Sequence, residues 1–294
     1  MTSQHTDGSS TRRERAFTAA AVVLAAALLV ALFLPILRVR WRYYDEQPRY
    51  SHCAMLPLVS AAWIWDRWDA LRALPRSVSR GGVVAVLAGV LAFLYGRVVS
   101  NNFLQHAAML ATLGGAVAAL CGARVLRACA FPLLYLVLTI PLPKAWDEIV
   151  TQPLQSGATR AAESVFDAFG WVVVRQGNVL QLPHLKLLVE EQCSGAHSLY
   201  ALSALAIAWV FFVERPAWLR VVLVASTVPI AVLANAIRVS ATGVLAYKVD
   251  PSYAQGVSHQ TAGMIVFAIG VVLLLFVDWC LKPDPVPPRA DAAA

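Results

Sequence analysis

Six stretches of this chain stay apolar over the length that a bilayer demands, at about 16–37, 81–99, 103–121, 193–213, 218–246 and 259–281. A helix rises ~1.5 Å per residue, so each can cross a hydrocarbon core of ~30 Å. Two shorter runs, about 51–65 and 128–143, hold roughly 15 residues against the ~20 a span needs. They are expected as short spans or re-entrant pieces. With 59% hydrophobic and 14% charged residues, a water-soluble domain is excluded. The expected fold is all-α, a polytopic transmembrane helical bundle of about eight spans over 16–281. The first run follows Arg12, Arg13 and Arg15 and resembles a signal peptide, but it is too long for an h-region and lacks a small-residue cleavage site. It is expected to stay as a membrane helix.

Charge sets the orientation. With all eight runs as spans, Arg12, Arg13, Arg15, Arg67, Arg72, Arg76, Arg80, Arg124, Arg127 and Arg215 fall on the side of the N-terminus. The long loop 144–192 falls on the other, with four bases and six acids, a net of −2 within a chain of net charge +7. The four arginines of loop 38–50 run against this pattern. The positive-inside rule places both termini in the cytoplasm and the long loop outside. The positive charge is thereby explained as a topology signal, and no nucleic-acid partner is implied. Segment 1–15 is read as a basic cytoplasmic lead, and the proline-rich 282–294 as a disordered cytoplasmic tail.

Within the long loop, Ile149, Val150, Leu154, Ala161, Val165 and Phe169 recur at helical spacing, predicting an amphipathic helix over 146–171 along the outer surface. Gly177-Asn178 then separates two β-prone stretches, a signal for a short hairpin.

The topology also makes a prediction about depth. The run from Cys193 heads inward, so Cys193 lies at its outer end. The next climbs outward from Trp218, and Arg238, 20 residues on, has risen about 30 Å. Asn235 is nearly one turn deeper. The last run starts outside at His259. A thiol, a guanidinium and an imidazole therefore converge at one level, the set that cysteine-based acyl transfer requires: nucleophile, oxyanion stabiliser and proton carrier. Each also has a plain structural reading, Cys193 as a small hydrophobe, Arg238 as an interfacial snorkel and His259 as an interfacial residue. Cys193 opens an apolar run, where a helix N-terminus lowers a thiol's pKa, while Glu190 and Glu191 beside it oppose that effect. His197, four residues on and on the same helical face, is an alternative partner for the thiol. Cys121, Cys129 and Cys280 are read as structural.

These residues resemble the exosortase/archaeosortase family of membrane cysteine transpeptidases. The segments that carry the resemblance are YSHCAMLPLVSAAWIW (50–65), PLPKAWDEIVTQPLQSGATRAA (141–162), GNVLQLP (177–183), EEQCSGAHSL (190–199), NAIRV (235–239) and SHQTAG (258–263), spanning roughly 41–281. The resemblance implies Cys193 as nucleophile, Arg238 as stabiliser of the oxyanion or thiolate, and His259 as general acid/base. It further implies substrates that are secreted proteins with a C-terminal sorting signal: a motif such as Pro-Glu-Pro, one transmembrane helix and a basic cluster. An acceptor nucleophile takes the product, in cell (inner) membranes of bacteria that often make exopolysaccharide. Cys53 stands where the family usually has glycine, and His197 where it often has arginine. No cofactor is implied.

Three other readings compete. A membrane thiol–disulfide oxidoreductase would pair Cys53 with Cys193, without a Cys-x-x-Cys motif. A metal site using His52, His184, His197, His259 and Cys193 lacks short ligand spacing. A transporter would need a polar pathway through the bilayer centre, whereas the polar residues gather at one face.

Overall fold

The computed structural model describes residues 23–39, 41, 48–213, 215–254 and 256–281, without the side chains of 48, 49, 51, 192, 254 and 256–260. The segments 1–15 and 282–294 lie outside the described residues. The chain forms two compact units, one of 1–54 with 68–140 and one of 55–67 with 141–294. Four helices are long and apolar enough to cross a membrane, and three shorter apolar helices accompany them, among the described residues. The architecture is that of an all-α membrane protein with one small sheet.

In the first unit, the apolar helix α1 (Val23–Val39) is followed, beyond the short α3 (Trp68–Ala73), by the hairpin α4 (Arg80–Val98) and α5 (Asn102–Cys121). Lipid tails are as apolar as leucine, so close packing rather than water exclusion holds such a pair together. Gly82, Gly89 and Gly96 recur every seven residues on α4 and bring it against Ala119, Thr112 and Gln105 of α5. Gly115 returns the contact to Ala85 and Val86. Ser79 and Asn101 cap the two helices by accepting from Gly82 N and Leu104 N. Phe33 of α1 meets Phe93 edge-on at 4.7 Å.

The 128–143 run is not one regular helix. It divides into α7 (Ala130–Tyr135), preceded by α6 (Ala123–Ala128), and a 3₁₀ turn Leu136–Thr139 ahead of Pro141 and Pro143. Ten helical residues reach ~15 Å, half a hydrocarbon core. The 51–65 run likewise gives a 3₁₀ segment, Pro48–Ala54, and an 11-residue α2 (Leu56–Asp66), the latter in the second unit.

The second unit is organised along α10 (Ala217–Lys248), whose 32 residues span ~48 Å, well beyond a hydrocarbon core. Its first half packs Leu219, Leu223 and Ile230 against Leu202, Ala206 and Val210 of α9 (Ala196–Phe212) and Leu274 of α11 (Gly256–Cys280). Pro229 interrupts the ladder of α10, and nearby hydroxyls serve backbone carbonyls: Ser226 donates to Leu223 O at 2.8 Å and Thr227 to Val224 O at 2.7 Å. The second half faces a different core. There Val239 joins Ala158, Ala162 and Phe166 of α8 (Lys144–Ala168) with Leu180, Leu182 and Leu187 of the sheet. Gly243 lies under the Phe166 ring, and Trp171 meets Tyr247 at a tilt of 42°, ring centroids 4.4 Å apart.

The sheet extends the expected hairpin. β1 (Val174–Gln176) and β2 (Val179–Leu182) turn at Gly177-Asn178, with Gly177 at φ +63°, as that dipeptide favours. A further antiparallel strand β3 (Leu185–Leu188) follows the two-residue turn Pro183-His184.

The helix predicted over 146–171 forms as α8, but it buries another face. Ile149 and Phe169, members of the predicted apolar stripe, are 71% and 60% exposed. The buried face is Asp147, Thr151, Gln155, Ala158, Thr159, Ala162 and Phe166. Three of its four polar members are hydrogen-bonded: Gln155 Nε2 donates to Val189 O at 2.6 Å, Tyr200 Oη to Asp147 Oδ1 at 3.0 Å, and Thr159 Oγ1 to Gln155 O at 2.8 Å. Beside a bilayer an outward apolar side chain meets lipid, so hydrophobicity alone does not mark the inner face.

Candidate active site

Strand β3 ends at Leu188, and Val189 enters the core at 2% exposure. Glu190 is extended, and the chain then tightens into a 3₁₀ turn over Glu191–Cys193. Cys193 N donates to Glu190 O at 2.9 Å and Ser194 N to Glu191 O at 3.1 Å. Gly195 follows in the left-handed conformation, φ +88°, and only then does α9 begin, at Ala196. Cys193 therefore does not open the helix, as its place at the start of the apolar run had led us to expect. A left-handed glycine redirects the chain between the thiol and the first turn, and Ser194 Oγ accepts from Ala196 N at 3.2 Å.

Cys193 sits in the core shared by α8, the sheet and Val239, with 7% of its surface exposed. Asn235, 2% exposed, donates from Nδ2 to the Cys193 carbonyl at 2.9 Å. The approach is tight. A Cβ at position 195 would stand 2.8 Å from both Cβ and Cγ of Asn235, so only glycine lets the two segments meet this closely. One turn further along α10, Arg238 is 8% exposed and lies in the electrostatic neighbourhood of the thiol. Burial pushes the Cys193 thiol up from its ordinary pKa, Arg238 pulls it down, and Glu190 pushes it up again, the net direction being upward. The helix terminus set against Glu190 and Glu191 in the sequence does not act here, because α9 starts only at Ala196, and burial is the largest influence on the thiol. Glu190 and Glu191 are both exposed, consistent with acids directed away from a buried thiol.

The structure thus brings two of the three predicted residues, Cys193 and Arg238, into one neighbourhood, with Asn235 joining them. The third is placed by its backbone alone. His259 lies in the first turn of α11, four residues before Gly263, and its side chain lies outside the described residues. Gly263 lies beside Arg238: a Cβ added there would stand 3.4 Å from Nη1. The helix carrying His259 therefore passes Arg238 one turn after the histidine. His197, half-buried, is in the first turn of α9.

Cys53, in the first unit, is 1% exposed, donates to Leu138 O at 3.6 Å and lies 3.6 Å from His52 Nε2. None of the five cysteines forms a disulfide. His184 is exposed in the β2–β3 turn. Among the described residues, no three His, Cys, Asp or Glu side chains gather as a metal site would require.

Two features of the site were not anticipated. Gly195 was legible as a glycine just ahead of a helix, but its left-handed φ is unusual there, where an N-cap is ordinarily extended. The Asp147, Thr151, Gln155, Thr159 series was legible as polar residues every fourth position, one stripe of a helix.

No curated protein and no solved structure matches the chain. Residues 41–276 match the transmembrane exosortase family, and this stretch holds Cys193, Asn235, Arg238 and His259 together. The chain belongs to the transmembrane exosortase family.

Proposed function

We propose that this protein is a membrane-embedded cysteine protease or transpeptidase that cleaves the C-terminal sorting signal of secreted proteins. The observation that carries the reading is the pairing of a buried Cys193 with a buried Arg238 in the second half of α10, about 30 Å from its start. A buried guanidinium beside a thiol is costly to maintain in a structural role and suited to stabilising developing negative charge.

In this mechanism the substrate's transmembrane helix enters the bundle laterally and brings its Pro-Glu-Pro-like motif to the outer interface. The Cys193 sulfur attacks the scissile carbonyl carbon as the thiol proton passes to His259. Arg238 offsets the charge on the tetrahedral oxyanion. His259 returns the proton to the leaving amine, the C–N bond breaks, and a thioacyl enzyme remains until an acceptor amine or water resolves it. Because burial raises the thiol's pKa, a base in this position has a defined task. Glu190 and Glu191 face the approaching substrate, and His197 is the reserve base. The protein works in the cytoplasmic membrane with both termini inside and the site facing out.

The test is co-expression with a secreted reporter ending in a Pro-Glu-Pro motif, an apolar helix and an arginine cluster. Cys193→Ala is expected to abolish its cleavage, and undiminished cleavage sinks the proposal. Cys53→Ser is expected to cleave normally, whereas a thiol–disulfide oxidoreductase would fail with either cysteine removed.

A further inference from the structure

Asn235 does more in this site than fill space. Its Nδ2 donates to the Cys193 carbonyl, which can only accept, so the amide orientation is dictated chemically and Oδ1 must face the other way. That oxygen is buried and, among the described residues, has no hydrogen-bond partner. A buried amide oxygen without a donor is destabilising unless something supplies one. Gln155 and Thr159, buried in the same unit, are engaged, reaching Val189 O and Gln155 O, while Thr151 Oγ1 on α8 shares the lack of a partner. The unpartnered oxygen lies on a side chain fixed against the nucleophile's own peptide, three residues before Arg238 on the same face of α10.

We infer that Asn235 is a positioning residue with two tasks. Its Nδ2 fixes the peptide that carries the Cys193 thiol, and its Oδ1 accepts a backbone N–H of the extended peptide bound for cleavage. A peptide segment entering a low-dielectric site must have its N–H groups satisfied, and Oδ1 is an acceptor already desolvated and oriented beside the thiol. Gly195 belongs to the same device, since any Cβ there would displace Asn235. This rests on Cys193 being the nucleophile.

The test uses purified membranes and the Pro-Glu-Pro reporter described above. Asn235→Ser keeps a hydroxyl to donate toward Cys193 O but provides no second oxygen at the Oδ1 position. It is expected to hold kcat within about threefold and raise KM by at least about fivefold. Asn235→Leu, similar in shape and without polar atoms, is expected to lose about a hundredfold in kcat/KM while Cys193 still reacts with N-ethylmaleimide. Asn235→Leu within about threefold of wild type overturns the inference, as does Asn235→Ser with an unchanged KM. Where Asn235→Leu does not fold, the KM of Asn235→Ser decides alone. Cleavage that survives Cys193→Ala refutes the nucleophile assignment instead, and the two failures are told apart by that control.

Discussion

Replacing Gly195 by alanine puts the smallest possible side chain into the tightest contact of the site. At φ +88° a residue with a Cβ incurs about 1–2 kcal/mol of backbone strain. The added carbon would also stand 2.8 Å from Cβ and Cγ of Asn235 and 3.0 Å from its Nδ2, where carbon contacts prefer about 3.5–4.0 Å. Asn235 must withdraw by roughly 0.7 Å, which stretches its 2.9 Å bond to Cys193 O past hydrogen-bonding range. A buried donor left unsatisfied costs about 1–3 kcal/mol more. The total, about 2–5 kcal/mol, corresponds to a fall in Tm on the order of 5–15 °C, read by thermal unfolding in detergent. Because the nucleophile's peptide loses its anchor, reporter cleavage per folded molecule should drop by about tenfold or more. Gly195→Ala with wild-type Tm and wild-type cleavage would falsify the argument, since strain, overlap and the lost bond would all have to be absent.

Three further outcomes are expected. With its thiol raised by burial, Cys193 should react with N-ethylmaleimide faster as pH increases, with a midpoint above the ordinary thiol value; Arg238→Gln should move that midpoint further up and Glu190→Gln down. The sign for stability follows: the folded state holds the thiol proton more tightly than the unfolded one, so the contribution is complete below the ordinary thiol pKa and is lost as pH rises through the raised one. Arg215 and Asp278 form a two-bond pair at 3.0 and 2.8 Å with side chains 13% and 7% exposed, so Asp278→Ala should cost about 2 kcal/mol, between an exposed and a fully buried pair. The charge-swapped double variant should recover part of that Tm, and an Asp278→Ala with unchanged Tm would show the pair to be idle. Gly82→Val places carbon against the Ala119 backbone and should cost about 3 kcal/mol by separating α4 from α5; a Tm equal to wild type would argue against close packing there.

Several features could be read before any coordinates because they depend on length and solvent alone. Lipid forces spanning segments to be long and apolar, so α4, α5, α10 and α11 appear directly as runs, and the fixed rise of a helix carries Arg238 about 30 Å along α10. The ordered boxes around Cys193, Arg238 and His259 were likewise visible as residue types in sequence order.

What tertiary structure alone decided is of a different kind. The inward face of α8 is polar because Val189 and Tyr200 wait opposite it, and no periodicity in α8 reports on partners 34 and 53 residues away. The paired short runs broke into 3₁₀ and helical pieces. The burial that raises the Cys193 thiol comes from a core assembled from α8, the sheet and α10, which its neighbours in sequence do not report. Gly195 and Asn235 acquire their meaning only together, where two segments 40 residues apart approach too closely for any Cβ. Local composition and a lipid solvent determine where the helices run; non-local contacts, each worth a few kcal/mol at specific atoms, determine what the site can do.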